Sequence, residues 1–320
     1  MPVHAFIFPG QGSQAVGMGR DLAAAFAAAR EVFQEVDETL KQKLSKLMFE
    51  GPVEELTLTE NTQPALMAHS LAVLRVLERE GGTTLQRKAL VVAGHSLGEY
   101  SALAAAGSFT IPAAARLLKL RGQAMQSAVP PGMGAMAALL GADMAQAAEI
   151  SAEAAPAPET CVTEIVQPAN DNGGGQVVIS GHRTAIDRAI EIARTKGVKR
   201  AMPLPVSAPF HCSLMAPAAD AMAEALEKSP PSAPCVPLVA NVSARRESDP
   251  GRIRELLIQQ ITSTVRWREC VSAMTEMGVD RFVELGTGKV LTGLIKRIAP
   301  DASGIAVGTP AEIEAVLKSL

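Results

Sequence analysis

Short apolar runs alternate with longer helical stretches along most of the chain. The runs that predict buried strands are residues 5–8, 90–94, 236–240 and 281–285. The stretches that predict helices are residues 18–40, 62–80, 97–106, 111–127, 291–298 and 311–317. This alternation is typical of a largely parallel sheet covered by helices on its faces.

A different pattern occupies residues 130–206. It opens with Pro130-Pro131-Gly132, and a loop rich in asparagine and glycine lies at residues 170–175. Strands are predicted at 135–140, 162–166, 176–180 and 198–203, and helices from residue 142 and at 183–196. The order strand–helix–strand–strand–helix–strand predicts a small ferredoxin-like α+β subdomain inserted once into a larger domain. The larger domain would comprise residues 1–129 and 207–320.

Composition and charge exclude several classes of protein. Hydrophobic residues make up 48% of the 320 positions and charged residues 20%, which fits a globular chain with a large core. A net charge of −3 without an arginine-rich motif argues against nucleic-acid binding. We expect no membrane span, because no apolar run reaches about 18 residues, and no signal peptide, because the start lacks basic residues.

The cysteines predict neither a metal site nor a disulfide framework. Cys161, Cys212, Cys235 and Cys270 are far apart, and no two of them form a Cys-x-x-Cys pair. We therefore expect reduced thiols and a cytoplasmic location.

The strongest local signal is Gly94-His95-Ser96-Leu97-Gly98, between an apolar strand and an alanine-rich helix. Strand, turn and helix in this order are the context of a nucleophile elbow. The hydroxyl of Ser96 would lie at the helix N-terminus, where the dipole and the N–H of Leu97 can stabilise a negatively charged oxygen. An ordinary strand-to-helix turn is the alternative. The elbow favours a large domain of α/β-hydrolase-like type.

A serine hydroxyl needs a base to become a nucleophile, and the chain has five histidines. The best candidate is His211, which follows the constrained, proline-containing loop 206–210. The others lie at the chain start, in a helical pattern, in the elbow itself and in a Gly-His-Arg turn.

Two further features bear on the chemistry. Gly10-Gln11-Gly12 follows the first strand and loosely matches a dinucleotide fingerprint, but residues 18–40 predict a helix where that fold requires a second strand. The turn can instead present the N–H of Gln11 as a second oxyanion donor. Arg121 lies in a largely apolar helical stretch, so it is either a solvated residue or a buried guanidinium that binds a carboxylate.

Eight blocks in order closely resemble the bacterial malonyl-CoA:acyl-carrier-protein transacylase family, over nearly the whole chain. They are Phe-Pro-Gly-Gln-Gly-Ser-Gln at 8–14, Asn-Thr-Gln-Pro-Ala at 61–65, Gly-His-Ser-Leu-Gly-Glu-Tyr at 94–100, Arg-Gly at 121–122, Gly-Ala-Met-Ala-Ala at 134–138, Gly-Gln-Val-Val-Ile-Ser-Gly at 175–181, Pro-Phe-His at 209–211 and Glu-Leu-Gly-x-Gly-Lys-Val-Leu at 284–291.

The resemblance implies a role for each matching residue. Ser96 would be the nucleophile that becomes malonylated and His211 the general base and acid. Arg121 would bind the malonyl carboxylate, while Gln11 and Leu97 would donate the oxyanion N–H groups.

Three more positions follow from the same resemblance. Gln260 matches the residue whose main chain orients the histidine, and Asn170 falls where the family has an asparagine near the substrate. Phe210 resembles the malonyl-type rather than the methylmalonyl-type loop. The neighbouring Asp171 and the glycines at 173–174 depart from the family pattern.

The implied reaction is a ping-pong transfer of malonyl from malonyl-CoA to the phosphopantetheine thiol of acyl carrier protein. It needs no metal or redox cofactor, nucleic acid or membrane, and we expect a monomer. Two alternatives stay open at this point: a serine hydrolase or thioesterase with the same elbow, and a non-catalytic module that binds carrier protein.

Overall fold

The computed structural model of the protein describes residues 3–157 and 162–318. Its strands are β1 (His4–Phe8), β2 (Ala89–Gly94), β3 (Gly134–Leu140), β4 (Pro156–Ala157), β5 (Val162–Thr163), β6 (Val166–Asp171), β7 (Gln176–His182), β8 (Arg200–Pro203), β9 (Leu238–Val239), β10 (Arg246–Glu247), β11 (Arg281–Leu285) and β12 (Ser303–Val307).

Helices surround these strands. They are α1 (Arg20–Ala25), α2 (Ala27–Leu40), α3 (Leu44–Glu50), α4 (Val53–Thr57), α5 (Thr59–Gly81), α6 (Leu85–Lys88), α7 (Gly98–Ala105), α8 (Ile111–Ser127), α9 (Met144–Ala154), α10 (Arg183–Thr195), α11 (Ala216–Lys228), α12 (Pro250–Gln260), α13 (Trp267–Glu276), α14 (Val290–Ile298) and α15 (Pro310–Leu317). None of the described helices has the length and apolar character needed to cross a membrane.

The main sheet has the strand order β10-β9-β2-β1-β11-β12, and all its pairings are parallel except β10 with β9. The central strand β1 is buried along its whole length. Its residues alternate between two cores, with Phe6 and Phe8 in one and Ala5 and Ile7 in the other. A strand buried on both faces needs an unbroken apolar run, which is the pattern that predicted the parallel sheet.

A second, antiparallel sheet has the order β6-β7-β3-β8. Helices α9 and α10 pack against it, and their apolar faces form a separate core with the sheet. The structure therefore confirms a mixed α/β protein in which a parallel-sheet core is accompanied by a distinct antiparallel sheet.

Several predicted boundaries were wrong. The helix predicted at 18–40 is two helices, because Phe26 adopts an extended conformation (φ −126°, ψ 126°) between α1 and α2. The strand predicted at 162–166 ends after Thr163, and β6 continues to Asp171 into the predicted loop. Strand β12 was missed because it is an edge strand with mostly half-buried residues, so it lacks a strong apolar pattern.

The loops that follow β1, β2 and β11 lie at the carboxyl edge of the main sheet, where open α/β sheets bind their ligands. Residues of these loops and of the antiparallel sheet together line one cleft with a volume of about 820 Å³. The connectivity thus brings distant parts of the sequence to one place.

Candidate active site

The turn between β2 and α7 holds Ser96 in the left-handed region, with φ 53°. Both flanking glycines are required by close packing. A Cβ on Gly94 would lie 1.9 Å from the carbonyl carbon of Gly98, and a Cβ on Gly98 would lie 2.3 Å from the carbonyl oxygen of Phe8. The sharp turn therefore presents the Ser96 side chain to the cleft at the start of a helix.

The side chain of Asn241 connects the two sides of this turn. The Ser96 N–H donates to Asn241 Oδ1 at 2.8 Å, and Asn241 Nδ2 donates to the Gly94 carbonyl at 2.8 Å. Asn241 is fully buried, so its amide must find its partners within the protein, and two of them are main-chain groups of this turn. We infer that Asn241 stabilises the left-handed conformation of Ser96.

The Ser96 hydroxyl lies beside an imidazole from a distant part of the chain. Ser96 Oγ is 2.7 Å from His211 Nε2, although 115 positions separate the two residues. His211 Nδ1 lies 2.9 Å from the main-chain oxygen of Gln260. Because a carbonyl only accepts hydrogen bonds, Nδ1 carries the proton and the Nε2 lone pair faces the hydroxyl.

The imidazole is uncharged at neutral pH. Burial, followed by the nearby charge of Arg121, lowers the pKa of His211 to about 3. A neutral imidazole with its free nitrogen on the serine is the state that a general base requires.

Arg121, on α8, is 1% exposed and its guanidinium lies against the Ser96 hydroxyl. One terminal nitrogen donates to Gln63 Oε1 at 2.7 Å, and the other donates to Gln260 Oε1 at 2.8 Å and to Ser96 Oγ at 3.2 Å. Among the described residues, no carboxylate lies within ion-pair distance of Arg121. A buried guanidinium without an ionic partner is suited to an anionic group supplied by a ligand.

Two residues of the cleft have main-chain N–H groups that are free to bind a ligand. Both Gln11 and Leu97 line the cleft, and within the described chain neither N–H donates to a protein acceptor. The Gln11 side chain is held by Thr59 Oγ1, which donates to Gln11 Oε1 at 2.9 Å. Two free donors near a nucleophile are the arrangement that stabilises a tetrahedral oxyanion.

The antiparallel sheet forms one wall of the cleft. Asn170 and Phe210 are both buried and both line it, together with the apolar side chains of Met136 and Val178. Asn172, two positions after Asn170, accepts a hydrogen bond from His95 Nε2 at 2.9 Å, which connects this wall to the elbow.

The chain is similar to known proteins over nearly its whole length. The family described as "Acyl transferase domain" matches residues 5–309. The malonyl CoA-acyl carrier protein transacylase of Escherichia coli (strain K12) is 45% identical over 318 residues, which cover 99% of this chain and 100% of that protein. The transacylase of Bacillus subtilis (strain 168) is 46% identical, covering 99% and 96% of the two chains. The chain belongs to the family of malonyl CoA-acyl carrier protein transacylases.

Solved structures of this family have the same fold. An acyl-carrier-protein-S-malonyltransferase from Bartonella henselae is 55% identical, with a TM-score of 0.94 and coverage of 99% of this chain and 98% of that one. A malonyl-transacylase in complex with its type II PKS acyl-carrier protein is 44% identical, with a TM-score of 0.94 and coverage of 99% and 100%.

All the residues singled out from the sequence lie around the one cleft or directly behind it. They are Gln11, Ser96, Leu97, Arg121, Asn170, Phe210, His211 and Gln260. Their chemical roles stay predictions.

Three buried polar residues of the site were not predicted from the sequence. Asn241 could have been recognised as a polar residue directly after an apolar strand. Gln63 could have been recognised as the glutamine of the block at 61–65. Glu99 follows the elbow and is 1% exposed. A glutamate in the first turn of a helix normally suggests a surface residue that favours the dipole, so its pattern gave no sign of burial.

Proposed function

We propose that the protein transfers the malonyl group of malonyl-CoA to the phosphopantetheine thiol of acyl carrier protein through an ester on Ser96. The observation that carries this proposal is the buried guanidinium of Arg121, 3.2 Å from the Ser96 hydroxyl and without a protein carboxylate. An acyl group with a free carboxylate supplies a partner that contacts the guanidinium directly. The names of the relatives support the same substrates, as does the carrier-protein complex of one of them.

In the first half-reaction His211 Nε2 takes the proton of the Ser96 hydroxyl as Oγ attacks the thioester carbon of malonyl-CoA. The N–H groups of Gln11 and Leu97 stabilise the tetrahedral oxyanion. The carbon–sulfur bond then breaks, and His211 returns the proton to the sulfur of coenzyme A. The main-chain oxygen of Gln260 keeps the imidazole oriented throughout, which is the task of an aspartate in other serine enzymes.

The second half-reaction reverses these steps with another thiol. His211 accepts the proton of the phosphopantetheine thiol, whose sulfur attacks the malonyl-serine ester. Collapse of the second tetrahedral intermediate releases malonyl carrier protein and reprotonates Ser96. Atoms and charges balance without a metal or redox cofactor, so we propose none.

We also propose that Phe210 favours malonyl over methylmalonyl. Its ring lines the cleft one residue before the base, where it would contact a branched α-carbon. Exclusion of one methyl group is worth about 1–3 kcal/mol, which is a preference rather than an absolute barrier. Asn170 is proposed to contact the substrate from the wall formed by the antiparallel sheet.

A serine hydrolase with the same elbow is the competing function, and the relatives do not favour it. A hydrolase would release free malonate in the absence of an acceptor thiol. The proposed transferase would hold the malonyl ester until carrier protein arrives.

For the fold, we propose a ferredoxin-like subdomain at residues 130–206, inserted into an α/β-hydrolase-like domain of residues 1–129 and 207–320. The order β6-β7-β3-β8 supports the first part. When the four strands of this sheet are numbered by their order in the chain, the order is 2-3-1-4, with helices after the first and third of them, as in ferredoxin-like folds. The parallel sheet with its elbow after β2 supports the second part.

We further propose that the protein works as a monomer in the cytoplasm. The thiols of Cys212, Cys235 and Cys270 are unpaired, which fits a reducing compartment; Cys161 lies outside the described residues.

Incubation with malonyl-CoA, followed by intact-mass measurement with and without carrier protein, tests the function. We expect a malonyl adduct on the wild-type protein that disappears when carrier protein is added, and no adduct on Ser96→Ala. A malonyl adduct on Ser96→Ala would remove Ser96 from its proposed role. Steady release of malonate from the wild type would identify a hydrolase.

A further inference from the structure

A buried carboxyl group lies behind the proposed acyl site. Glu99, in the first turn of α7, is 1% exposed. Its Oε2 accepts from Gln260 Nε2 at 2.6 Å and from the Asn241 N–H at 3.2 Å. Its Oε1 has no hydrogen-bond partner among the described residues. The reaction scheme above gives this carboxyl no task.

The side chain of Gln260 connects Glu99 to Arg121. Its amide nitrogen donates to the carboxylate, and its amide oxygen accepts from the guanidinium at 2.8 Å. A carboxylate only accepts and a guanidinium only donates, so both neighbours impose the same orientation on the amide. One buried negative group and one buried positive group thus face each other across a single side chain.

The binding of an acyl carboxylate changes this charge balance. An empty site with an ionised Glu99 and a charged Arg121 is neutral, whereas a malonyl carboxylate on Arg121 adds a second negative charge. Two carboxylates that share one guanidinium in a buried site repel each other, and this repulsion favours protonation of one of them. The malonyl carboxylate would contact the guanidinium directly and would therefore stay ionised. Glu99, which reaches the guanidinium only through Gln260, is then the group that takes up the proton.

We propose that Glu99 is a specificity-determining residue: it balances the charge of Arg121 in the empty site and takes up one proton from solvent when a malonyl carboxylate binds. This inference rests on the function proposed above. The proton restores a net charge of zero to the group formed by Glu99, Arg121 and the substrate carboxylate. An acetyl group, which has no carboxylate, would bind without proton uptake.

The surroundings of Glu99 keep the free-energy cost of this protonation small near neutral pH. Burial raises the pKa of Glu99 to about 7, and this effect outweighs the hydrogen bonds from Gln260 and Asn241 and the charge of Arg121, which act in the opposite direction. A malonyl carboxylate bound to Arg121 would raise the pKa of Glu99 further.

No other ionisable group around Glu99 is expected to change its charge in the same range. The groups that face it or its hydrogen-bond partner are Arg121, Tyr100, His211 and Cys270. Arg121 stays protonated. Burial raises the pKa values of Tyr100 and Cys270, and His211 has its pKa lowered to about 3, so these three stay neutral.

The first test is the half-saturation concentration of malonyl-CoA for acylation of the protein between about pH 6 and pH 9. The bound state holds more protons, so binding must weaken as pH rises through the pKa of about 7. A single linked proton gives a slope of up to about tenfold per pH unit. Acetyl-CoA shares every ionisable group of coenzyme A but lacks the acyl carboxylate, so it should not show this slope.

Two variants locate the proton. Glu99→Gln should remove the slope for malonyl-CoA. Glu284→Gln is the matched control, because Glu284 is also a buried carboxyl but accepts from the N–H groups of Leu291 and Thr292 instead of from Gln260. It should keep the wild-type slope. A slope that survives Glu99→Gln, or equal slopes for malonyl-CoA and acetyl-CoA in the wild type, would overturn the proposal.

A second measurement does not depend on turnover. Malonyl-CoA is titrated into Ser96→Ala by calorimetry in buffers of different ionisation enthalpy, which gives the number of protons taken up. We expect uptake approaching one proton near pH 8, and none for Ser96→Ala combined with Glu99→Gln. Absence of uptake in Ser96→Ala would refute the role of Glu99 while malonylation of the wild-type serine stands; absence of malonylation would refute the proposed function itself.

Discussion

Replacement of Arg121 by alanine tests the basis of the proposed acyl selectivity. The guanidinium is 1% exposed and contacts the Ser96 hydroxyl, so a carboxylate bound to it would be shielded from water. Removing one partner of such a charge pair costs about 2–5 kcal/mol. At 1.36 kcal/mol per tenfold change, the acylation rate with malonyl-CoA should fall by roughly 30- to 5,000-fold. An acetyl group has no carboxylate to lose, so acetylation should fall far less.

The assay is the rate of Ser96 acylation by each acyl-CoA, followed by intact mass. Arg121→Lys is the informative companion variant, because it keeps a positive charge but loses the two parallel donors of the guanidinium. Its malonylation rate should lie between those of the wild type and Arg121→Ala. Thermal unfolding of each variant is the control for lost stability. In Arg121→Ala the amide oxygens of Gln63 and Gln260 lose their donor, which costs about 1–3 kcal/mol of stability for each oxygen. Equal losses for malonyl and acetyl groups would mean that Arg121 supports the structure and not the substrate.

Three further outcomes are expected. His211→Ala should slow acylation by roughly 10²–10⁴-fold. Burial lowers the pKa of His211 to about 3, so the wild-type acylation rate at saturating malonyl-CoA should show no inflection near pH 6.5. An inflection at that pH would contradict a base that is neutral above about pH 3. Asn241→Leu should lower the free energy of unfolding, measured by denaturant, by about 2 kcal/mol or more, since the Ser96 N–H and the Gly94 carbonyl each lose a buried partner. Asn241→Asp should not restore the stability, because a carboxylate keeps the acceptor for the Ser96 N–H but places a buried negative oxygen against the Gly94 carbonyl; wild-type stability of this variant would contradict the role of the Asn241 amide nitrogen. Phe210→Ala should narrow the ratio of malonyl to methylmalonyl transfer by roughly 5- to 150-fold, the equivalent of about 1–3 kcal/mol, and an unchanged ratio in a competition assay would exclude this ring as the selective contact.

Patterns that depend on near neighbours could be interpreted without coordinates. The buried strands β1 and β2 contain continuous apolar runs, and the elbow combines two closely packed glycines with a strand before it and a helix after it. Elements without such a pattern were missed or misplaced, as with the edge strand β12 and the break at Phe26. Edge strands and breaks depend on what packs beside them, and local periodicity does not contain that information.

The candidate site also combines features that depend on near neighbours with features that depend on the tertiary structure. The sequence by itself determined where a nucleophilic serine can lie, because the turn at Ser96 and the close contact of Gly94 with Gly98 involve only near neighbours. The contact that requires Gly98, with the carbonyl oxygen of Phe8, already depends on the tertiary structure. Only the tertiary structure decided that His211 lies 2.7 Å from that serine, that Arg121 is buried without a carboxylate, and that Asn241 and Glu99 lie behind both. Hydrogen bonds and burial depend on distances in space, and parallel strands bring together residues that are more than a hundred positions apart in the chain.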